Sequence, residues 1–282
     1  MTILDGKRTS LRISEKIQKE VQEYLNLGKR VPELDILLVG NDFGSQKYVE
    51  MKSKKAQELG IQCNVHSFDE NISEEELISI IEELNIDTQV DGIMVQLPLP
   101  KHIQESNVLE KISPSKDVDG LTSVNLGKLF KNDSSPIAPA TAKGILELLR
   151  EYNIQIDGKE ALVIGRSDIV GLPTAALLQN GNATVTICHS HTQNLKEICK
   201  KADILVVGIG KPEYIDREYV KEGAVVIDVG TNKNEDGKLV GDVNFESVKD
   251  MVSYITPVPG GVGPMTIACL LSNLIDAYKK NV

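Results

Sequence analysis

The feature that most constrains the fold is an alternation of continuous apolar runs with amphipathic segments along nearly the whole chain. The run LDILLVG (34–40) has the continuous apolarity of a strand buried on both faces of a parallel sheet. Residues 10–27 carry apolar side chains at three-to-four spacing, which predicts an amphipathic helix. Ser73 and Glu76 form a capping box that predicts the start of another helix. Such strand–helix–strand units predict an α/β fold with parallel sheets and right-handed crossovers.

The alternation divides into two series at KNDSSPIAPA (131–140), a polar stretch with prolines that is typical of a domain boundary. In the first series, VDGIMVQLPLP (90–100) predicts a strand that its prolines stop. The second series supplies four further candidate strands, KEALVIG (159–165), ATVTICHS (183–190), ADILVVGIG (202–210) and GAVVIDVGT (223–231). We therefore predict two domains: residues 1–140, rejoined by a C-terminal helix over 266–282, and residues 141–265.

Composition argues against several classes of partner. None of the apolar runs in the 282 residues approaches the roughly 20 residues that a membrane-spanning helix needs. A net charge of −10 argues against binding to nucleic acid or to an anionic membrane, so an anionic ligand must meet a local positive patch. The four cysteines lack the CxxC spacing, and the first residues do not resemble a secretory signal. We expect reduced thiols and a cytoplasmic protein.

The strongest local signal is the stretch VIGRSDIVGLP (163–173). A predicted strand ends at Gly165 and a helix begins a few residues later, which is where the pyrophosphate of a dinucleotide meets free backbone N–H groups. The glycine spacing is G-x-S-x-x-x-G and does not match the usual G-x-G-x-x-G fingerprint. A purely structural strand–helix turn would look similar, but this turn follows the first strand of a parallel series. We therefore predict a Rossmann-like NAD(P)-binding domain.

The end of the second strand in that series indicates which dinucleotide would bind. NAD sites usually place an acid there for the ribose 2′-hydroxyl, whereas NADP sites place cationic groups. Here the stretch is CHSHT (188–192), which contains no acid, while Arg166 lies in the preceding turn. Arg166 and Ser190 would suit a 2′-phosphate, although a polar loop without a ligand is about as plausible from composition. The Cys188–His189 pair does not predict a metal site, because consecutive strand residues point to opposite faces.

The first half offers isolated polar candidates. In YVEMK (48–52), Tyr48 and Lys52 are four residues apart, and on spacing alone an exposed lysine beside a tyrosine is the favoured interpretation. Gln96 follows a predicted buried strand, where open α/β sheets bind their ligands. Asp117 and Asp119 fall in the loop SPSKDVDGL (113–121), and each alone is more often a cap or turn residue than a binding group.

Seven motifs, taken in their order along the chain, favour a functional interpretation of these residues over a structural one. They are VGNDFGSQKYVEMKSKKAQELGI, DGIMVQLPLP, KDVDGL, VIGRSDIVGLP, GAVVIDVGTN, GDVNF and ITPVPGGVGPMTIACLL, and they extend over positions 39–271. The chain closely resembles the bifunctional methylenetetrahydrofolate dehydrogenase/methenyltetrahydrofolate cyclohydrolase family, known in bacteria as FolD. The resemblance implies oxidation of 5,10-methylenetetrahydrofolate by NADP⁺, with NAD less expected, and then hydrolysis of the methenyl product to 10-formyltetrahydrofolate. It also implies an active site in the cleft between the domains and a homodimer.

The resemblance further implies roles for individual residues. Lys52 matches the catalytic lysine, whose pKa must fall below about 10.4 for it to transfer protons near neutral pH, as burial would cause. Gln96 matches the glutamine that hydrogen-bonds this lysine. Tyr48 matches a tyrosine that packs on the folate, and Asp119 an aspartate that holds its pterin-like ring. The remaining matches are Val95, Leu97, Pro259, Gly260 and Gly263 for the folate, and Gly165, Arg166, Ser167, Ser190 and Thr231 for the cofactor.

Two departures and two alternatives remain. Ala140 and Ala142 replace a cysteine and a proline of the family pattern at the domain junction, and Thr231 replaces a branched aliphatic residue near the nicotinamide. One alternative is a dehydrogenase without cyclohydrolase activity that uses NAD or NADP on another small substrate, and the other is a catalytically silent nucleotide-binding regulator on the same fold. Because cellular folates carry anionic glutamate tails, Lys47, Lys54 and Lys55 are candidates for a local positive patch, although a solvated helix face would explain each of them as well.

Overall fold

The protein is described by a computed structural model covering residues 1–133, 135–234 and 236–282. The strands in chain order are β1 (Thr2–Ile3), β2 (Glu33–Val39), β3 (Gln62–Phe68), β4 (Gly92–Val95), β5 (Glu160–Ile164), β6 (Thr184–Cys188), β7 (Ile204–Val207), β8 (Val225–Asp228), β9 (Asn232–Lys233), β10 (Leu239–Val240) and β11 (Tyr254–Ile255). The helices are α1 (Gly6–Asn26), α2 (Phe43–Glu58), α3 (Glu74–Ile86), α4 (Glu105–Leu109), α5 (Ser123–Phe130), α6 (Ala140–Glu151), α7 (Gly171–Asn180), α8 (Leu195–Cys199), α9 (Phe245–Val248) and α10 (Val262–Asn281).

The chain packs into two compact units. The three-strand unit comprises Arg12–Lys128, a short segment that ends at Ala138, and Leu270–Val282. The six-strand unit comprises Met1–Leu11, Leu129–Asp133 and Pro139–Cys269. Each unit contains a parallel sheet with helices, so the predicted two-domain α/β fold is confirmed. The predicted domains do not coincide with these units, because Met1–Leu11 belongs to the six-strand unit and the three-strand unit resumes only at Leu270. As limits of functional domains, residues 140 and 265 stay a prediction.

The three-strand unit is built on the parallel order β3–β2–β4. All of β2 except Glu33 is buried, as the run LDILLVG predicts. Leu37, Ile93 and Val95 form an apolar core with Leu77 and Ile81 of α3. The predicted cap of α3 is present, because Ser73 Oγ accepts the N–H of Glu76 at 3.1 Å. This packing fixes β4, and therefore fixes Gln96, which follows β4 directly.

The second half of α10 completes the same unit. Asn273 Nδ2 donates to the carbonyls of Val118 (2.8 Å) and Ala138 (2.9 Å), and the hydroxyl of Tyr278 donates to the carbonyl of Arg30 (2.6 Å). The Arg30 guanidinium also makes two hydrogen bonds to the buried carboxylate of Asp91. Polar anchors therefore tie the C-terminal helix to segments more than a hundred residues away in sequence.

The six-strand unit has the order β1–β11–β8–β7–β5–β6, with parallel pairing between neighbours. The chain leaves β5 for β6 on one side and continues with β7 on the other side of β5. This reversal is a topological switch point, where open α/β sheets bind ligands beyond the carboxyl ends of their strands. The edge strand β1 comes from the first residues of the chain and was not predicted. Of the helices in the described residues, none is long and apolar enough to cross a membrane.

Candidate active site

Lys52 is held on the buried face of α2. The helix begins after Asp42, whose carboxylate accepts the N–H of Ser45 at 2.7 Å. Its buried face carries Ser45, Val49, Lys52 and Ala56, at the spacing of one helical stripe. Lys52 is only 7% exposed, so the interpretation of this residue as an exposed lysine is wrong. Tyr48, one turn earlier, is 45% exposed and remains accessible to a ligand.

The amine of Lys52 meets two residues of the same extended segment. Lys52 Nζ lies 3.1 Å from Gln96 Oε1 and 3.2 Å from Met94 Sδ. Met94 and Gln96 are two residues apart and therefore share a face of the extended chain. Gln96 is itself fixed, because its backbone N–H donates to the carbonyl of Leu37 (2.9 Å) and its Nε2 to that of Leu97 (2.7 Å). The amide oxygen is thus presented to the lysine.

These surroundings disfavour a charged amine. Burial lowers the pKa of Lys52, and the charge of Asp119 opposes that shift only in part. A thioether sulfur is a weak acceptor, and an amide oxygen brings no negative charge to stabilise an ammonium. Lys52 is therefore a base whose neutral form is accessible closer to neutral pH than that of a free lysine.

The pKa of Asp119 is shifted in the opposite direction to that of Lys52. Burial raises its pKa and Asp117 raises it further, whereas the charge of Lys52 lowers it. The neighbouring Asp117 has a structural role, since its carboxylate accepts the N–H groups of Gly120 (2.9 Å), Leu121 (3.1 Å) and Thr122 (2.8 Å). Asp117 is therefore the turn residue that its position suggested, and it fixes the loop on which Asp119 lies.

Two of the predicted folate residues are largely apolar packing residues. Val95 is 2% exposed and its side chain belongs to the core between the sheet and α3. Leu97 is half-buried against the same core, and a cis peptide bond joins it to Pro98. Contact of either residue with folate stays a prediction, for Val95 through its backbone.

In the six-strand unit, the turn after β5 is too tight for any residue but glycine at its first position. Gly165 has φ +124°, and a Cβ there would lie 2.4 Å from the carbonyl oxygen of Gly208, after β7. A Cβ on Gly171 would lie 2.3 Å from the carbonyl oxygen of Gly165. The backbones beyond β5 and β7 therefore approach each other closely at the switch point.

Two exposed residues follow the paired ends of β5 and β6. Ile164 pairs with Cys188 where β5 meets β6, so Arg166 and Ser190 each follow a paired residue by two positions. Both side chains are exposed, as are Ser167 and Thr231. Ser167 Oγ accepts the N–H of Val170 at 3.3 Å. A glycine turn flanked by an exposed guanidinium and hydroxyls, without an acid after β6, fits a dinucleotide with a 2′-phosphate.

The loop with Pro259, Gly260 and Gly263 packs on the start of α1 in the same unit. Gly260 has φ +106°, and its carbonyl accepts the N–H of Lys7 at 3.2 Å. A Cβ on Gly6 would lie 1.7 Å from the carbonyl oxygen of Gly261. Sequence reasoning missed Gly6 and Lys7. The glycine of DGK near a helix start was the available signal, but nothing local indicated a partner 250 residues away.

The comparisons with known proteins decide the family. The model of the tetrahydrofolate dehydrogenase/cyclohydrolase catalytic domain matches residues 4–119, and the model of its NAD(P)-binding domain matches residues 139–282. The chain belongs to the tetrahydrofolate dehydrogenase/cyclohydrolase family. It is 55% identical over 284 residues to the bifunctional protein FolD of Ligilactobacillus salivarius, covering 100% of this chain and 98% of that protein.

Solved structures of the tetrahydrofolate dehydrogenase/cyclohydrolase family agree. The FolD methylenetetrahydrofolate dehydrogenase/cyclohydrolase of Campylobacter jejuni is 45% identical, with a TM-score of 0.98 over 100% of both chains. The Trypanosoma brucei dehydrogenase-cyclohydrolase, solved with NADP and an inhibitor, is 39% identical. Its TM-score is 0.94 over 99% of this chain and 98% of that one. The family resemblance derived from the motifs is therefore confirmed.

Proposed function

We propose that the protein catalyses two steps of one-carbon folate chemistry. It oxidises 5,10-methylenetetrahydrofolate to the 5,10-methenyl compound with NADP⁺ as acceptor, and hydrolyses the methenyl compound to 10-formyltetrahydrofolate. The observation that carries this proposal is the buried amine of Lys52, held by Gln96 and with its pKa lowered, in a chain of this family. Neither a silent nucleotide-binding regulator nor a pure structural protein would require such a base.

The hydrolytic step uses residues of the three-strand unit. As water adds to the methenyl carbon, the neutral amine of Lys52 accepts a proton from that water. The resulting ammonium returns the proton to the ring nitrogen whose bond to carbon breaks. The proton of the newly added hydroxyl is released to solvent as that oxygen becomes the formyl carbonyl, so the lysine ends the cycle unchanged and one proton is released overall. Gln96 orients the amine through its amide oxygen without adding charge. A base matched to the operating pH in this way contributes roughly 10²–10⁴-fold to rate.

Substrate positioning is assigned to groups around the base. Tyr48 offers an exposed ring for the folate to pack on. Asp119, whose pKa is raised, holds the pterin-like ring through hydrogen bonds. Pro259, Gly260 and Gly263 supply the loop that lines the folate, and the backbone of Val95 and the half-buried Leu97 complete the set. The predicted location of the site in a cleft between the domains stays part of this proposal.

For the oxidation, the bound NADP⁺ supplies the acceptor of a hydride from the one-carbon bridge. The chain contributes binding and orientation. Gly165 allows close backbone approach at the switch point, Arg166 and Ser190 bind the 2′-phosphate, and Ser167 and Thr231 complete the cofactor residues. Hydride transfer depends on holding donor and acceptor in line, so this step is mainly a positioning task.

Incubation of the pure protein with 5,10-methylenetetrahydrofolate and either NADP⁺ or NAD⁺ tests the proposal. We expect reduction of NADP⁺ and accumulation of 10-formyltetrahydrofolate, identified by chromatography and mass. If the methenyl compound instead accumulates and is hydrolysed no faster than without enzyme, the protein is a dehydrogenase without cyclohydrolase activity. Failure to reduce either dinucleotide would leave the regulator as the better explanation.

Three finer assignments belong to the same proposal. The substrate carries a polyglutamate tail, which exposed Lys47 and Lys54 of α2 would meet; the third candidate, Lys55, is already paired with Glu58 at 3.3 Å. The protein is a homodimer, supported by the exposed edge of β3, which pairs with β2 on one side and with none of the described strands on the other. It works in the cytoplasm, in keeping with four cysteines that are all free thiols.

A further inference from the structure

A fully buried carboxylate organises the loop that follows β7. Asp242 is 0% exposed, and its carboxylate accepts the backbone N–H groups of Ile209 (2.6 Å), Gly210 (3.1 Å) and Lys211 (2.8 Å). A fourth donor is the side-chain amide of Asn232, whose Nδ2 lies 2.8 Å away. Three consecutive residues of one loop and the first residue of β9 are thus fixed by a single side chain.

Asp242 is in turn held by a second buried carboxylate. Asp228, at the end of β8, accepts the N–H groups of Gly230, Asp242 and Val243, each at 2.9 Å. The glycines of both motifs make room for these acids. A Cβ on Gly241 would lie 1.8 Å from Asp228 Oδ2, and one on Gly230 would lie 2.4 Å from the Asp242 carboxyl carbon. The stretches DVGTN and GDVNF therefore form one interlocked unit.

This unit adjoins the predicted cofactor turn. The loop that Asp242 fixes begins at Gly208, the residue whose carbonyl oxygen would be 2.4 Å from a Cβ on Gly165. Asn232 directly follows Thr231, one of the predicted cofactor residues. Because β5 and β7 are neighbours at the switch point, a displaced loop after β7 would change the space beside the Gly165–Arg166 turn.

We infer that Asp242 is a positioning residue for the cofactor: by fixing residues 209–211 and Asn232 it sets the wall of the dinucleotide site across from Gly165. The inference rests on the proposed function. It means that Asp242 supports the oxidation step, through cofactor binding, and does not contribute to hydrolysis. Asp242 itself is buried and acts through the loops it holds. The groups assigned to hydrolysis, Lys52 and Gln96, lie in the other unit.

An acid side chain suits this position better than its amide. A carboxylate has acceptor capacity for all four donors, whereas an asparagine has a single acceptor oxygen and an NH₂ group that would face N–H donors. Asp242→Asn keeps the side-chain shape but leaves some of the four donors without an acceptor. We therefore expect it to release the loop while disturbing the core little.

Asp203→Asn is the matched control. Asp203 lies at the opposite end of β7, where its carboxylate accepts the N–H of Glu160 (3.1 Å) and pairs with Lys221 (2.6 Å). It belongs to the same unit and also binds a backbone amide, but it lies at the amino ends of the strands, away from the switch point. The control therefore distinguishes the general effect of losing a carboxylate in this unit from the specific effect of losing the one that fixes residues 209–211.

The test compares wild type, Asp242→Asn and Asp203→Asn in four measurements: NADPH affinity by fluorescence titration, kcat and KM for NADP⁺ in the dehydrogenase reaction, hydrolysis of methenyltetrahydrofolate without cofactor, and thermal midpoint. We expect Asp242→Asn to weaken NADPH binding at least 10-fold and to raise KM for NADP⁺, with hydrolysis within twofold of wild type. Asp203→Asn should change neither activity. Unchanged NADPH affinity in Asp242→Asn would overturn the inference, as would equal loss of both activities.

A second variant covers the case in which Asp242→Asn does not fold. Asn232→Ala removes one of the four donors and leaves the acid in place, and we expect a smaller, several-fold weakening of NADPH binding with hydrolysis retained. Wild-type affinity in a folded Asn232→Ala protein, with Asp242→Asn unfolded, would mark the unit as structural only. A wild-type protein that neither binds NADPH nor reduces NADP⁺ would refute the proposed function itself, which is a distinct result.

Discussion

At the scale of single residues, the position of Lys52 shows how a helix can hold an amine away from water. Its neighbours on the buried stripe, Ser45, Val49 and Ala56, are small or β-branched, which leaves space for a long side chain to lie under the helix. The lysine reaches an amide oxygen and a sulfur, and neither of them carries a charge. A buried lysine in such surroundings costs stability in its protonated form.

Replacing Lys52 with methionine should abolish hydrolysis of methenyltetrahydrofolate while the protein stays folded. Lys52→Met keeps most of the apolar stem and removes the nitrogen that transfers the proton. We expect at least a hundredfold loss, following the roughly 10²–10⁴-fold contribution of a general base. The loss should appear as a fall in kcat, with NADPH affinity near that of wild type. Hydrolysis at near wild-type rate in a folded Lys52→Met protein would remove Lys52 from the mechanism.

The same variant should change the dependence of stability on pH. Burial lowers the native pKa of Lys52 below the value of 10.5 that applies to the unfolded chain, so between these two values the unfolded chain binds more protons. Stability from this residue is complete above pH 10.5 and is lost as pH falls through the native pKa. Lys52→Met should therefore be more stable than wild type near neutral pH, and this difference in stability should narrow as pH rises toward 10.5. Urea unfolding of both proteins from neutral pH to pH 10.5 measures the difference, and a difference that stays constant or widens over that whole range would contradict the lowered pKa.

At the scale of elements, the parallel register of β5 and β6 supports the proposed joint use of Arg166 and Ser190. We expect Arg166→Ala to weaken binding of NADP⁺ about 10- to 100-fold and binding of NAD⁺ far less, because a charge-assisted hydrogen bond contributes roughly 1.5–3 kcal/mol. KM and kcat with each dinucleotide give the comparison, with Arg217→Ala, elsewhere in the same unit, as control. Equal losses for the two dinucleotides would refute the assignment of Arg166 to the 2′-phosphate.

The exposed face of α2 leads to a separate prediction, about binding of the glutamate tail of the substrate. Lys47 and Lys54 lie on the same helix as Lys52 and are exposed, so they can attract a chain of carboxylates that the net charge of −10 would otherwise repel. Folates with longer glutamate tails should bind more tightly at low salt and lose that advantage at high salt. The double variant Lys47→Gln/Lys54→Gln should remove the advantage, whereas Lys16→Gln/Lys19→Gln on α1 should not. An advantage that persists at high salt would indicate other contacts.

Local patterns predicted the elements whose causes are local. The apolar run of β2, the Ser73 cap and the glycine turn after β5 could each be recognised within a dozen residues. Strand β1 could not, because two residues, Thr2 and Ile3, carry no periodicity and their partner is more than 250 residues away. The interlocked acids were also missed: DVGTN and GDVNF were recognised as motifs, but their hydrogen bonds join loops that are distant in sequence. The burial of Lys52 likewise depends on Met94 and Gln96, which belong to another element.

At the scale of the whole molecule, the three-strand sheet ends in a seven-residue edge strand, β3, on which Val65 is 40% exposed. Unprotected edge strands pair with a second chain when geometry allows. We expect a mass near twice 30.9 kDa by light scattering, and a shift toward monomer in Val65→Lys. The control is Ile86→Lys, because Ile86 is 81% exposed at the end of α3. A wild-type monomer would refute the homodimer, and a dimer unaffected by Val65→Lys would place the interface elsewhere.

The pairing of β1 with β11 also has a consequence for how the protein is made. Tyr254, the partner of Thr2, is synthesised more than 250 residues after it. At elongation rates of about 5–20 residues per second, the first segment waits on the order of 10–50 s for the strand that receives it. The six-strand sheet is therefore closed only after β11 has been made, by the strand that was made before its other five.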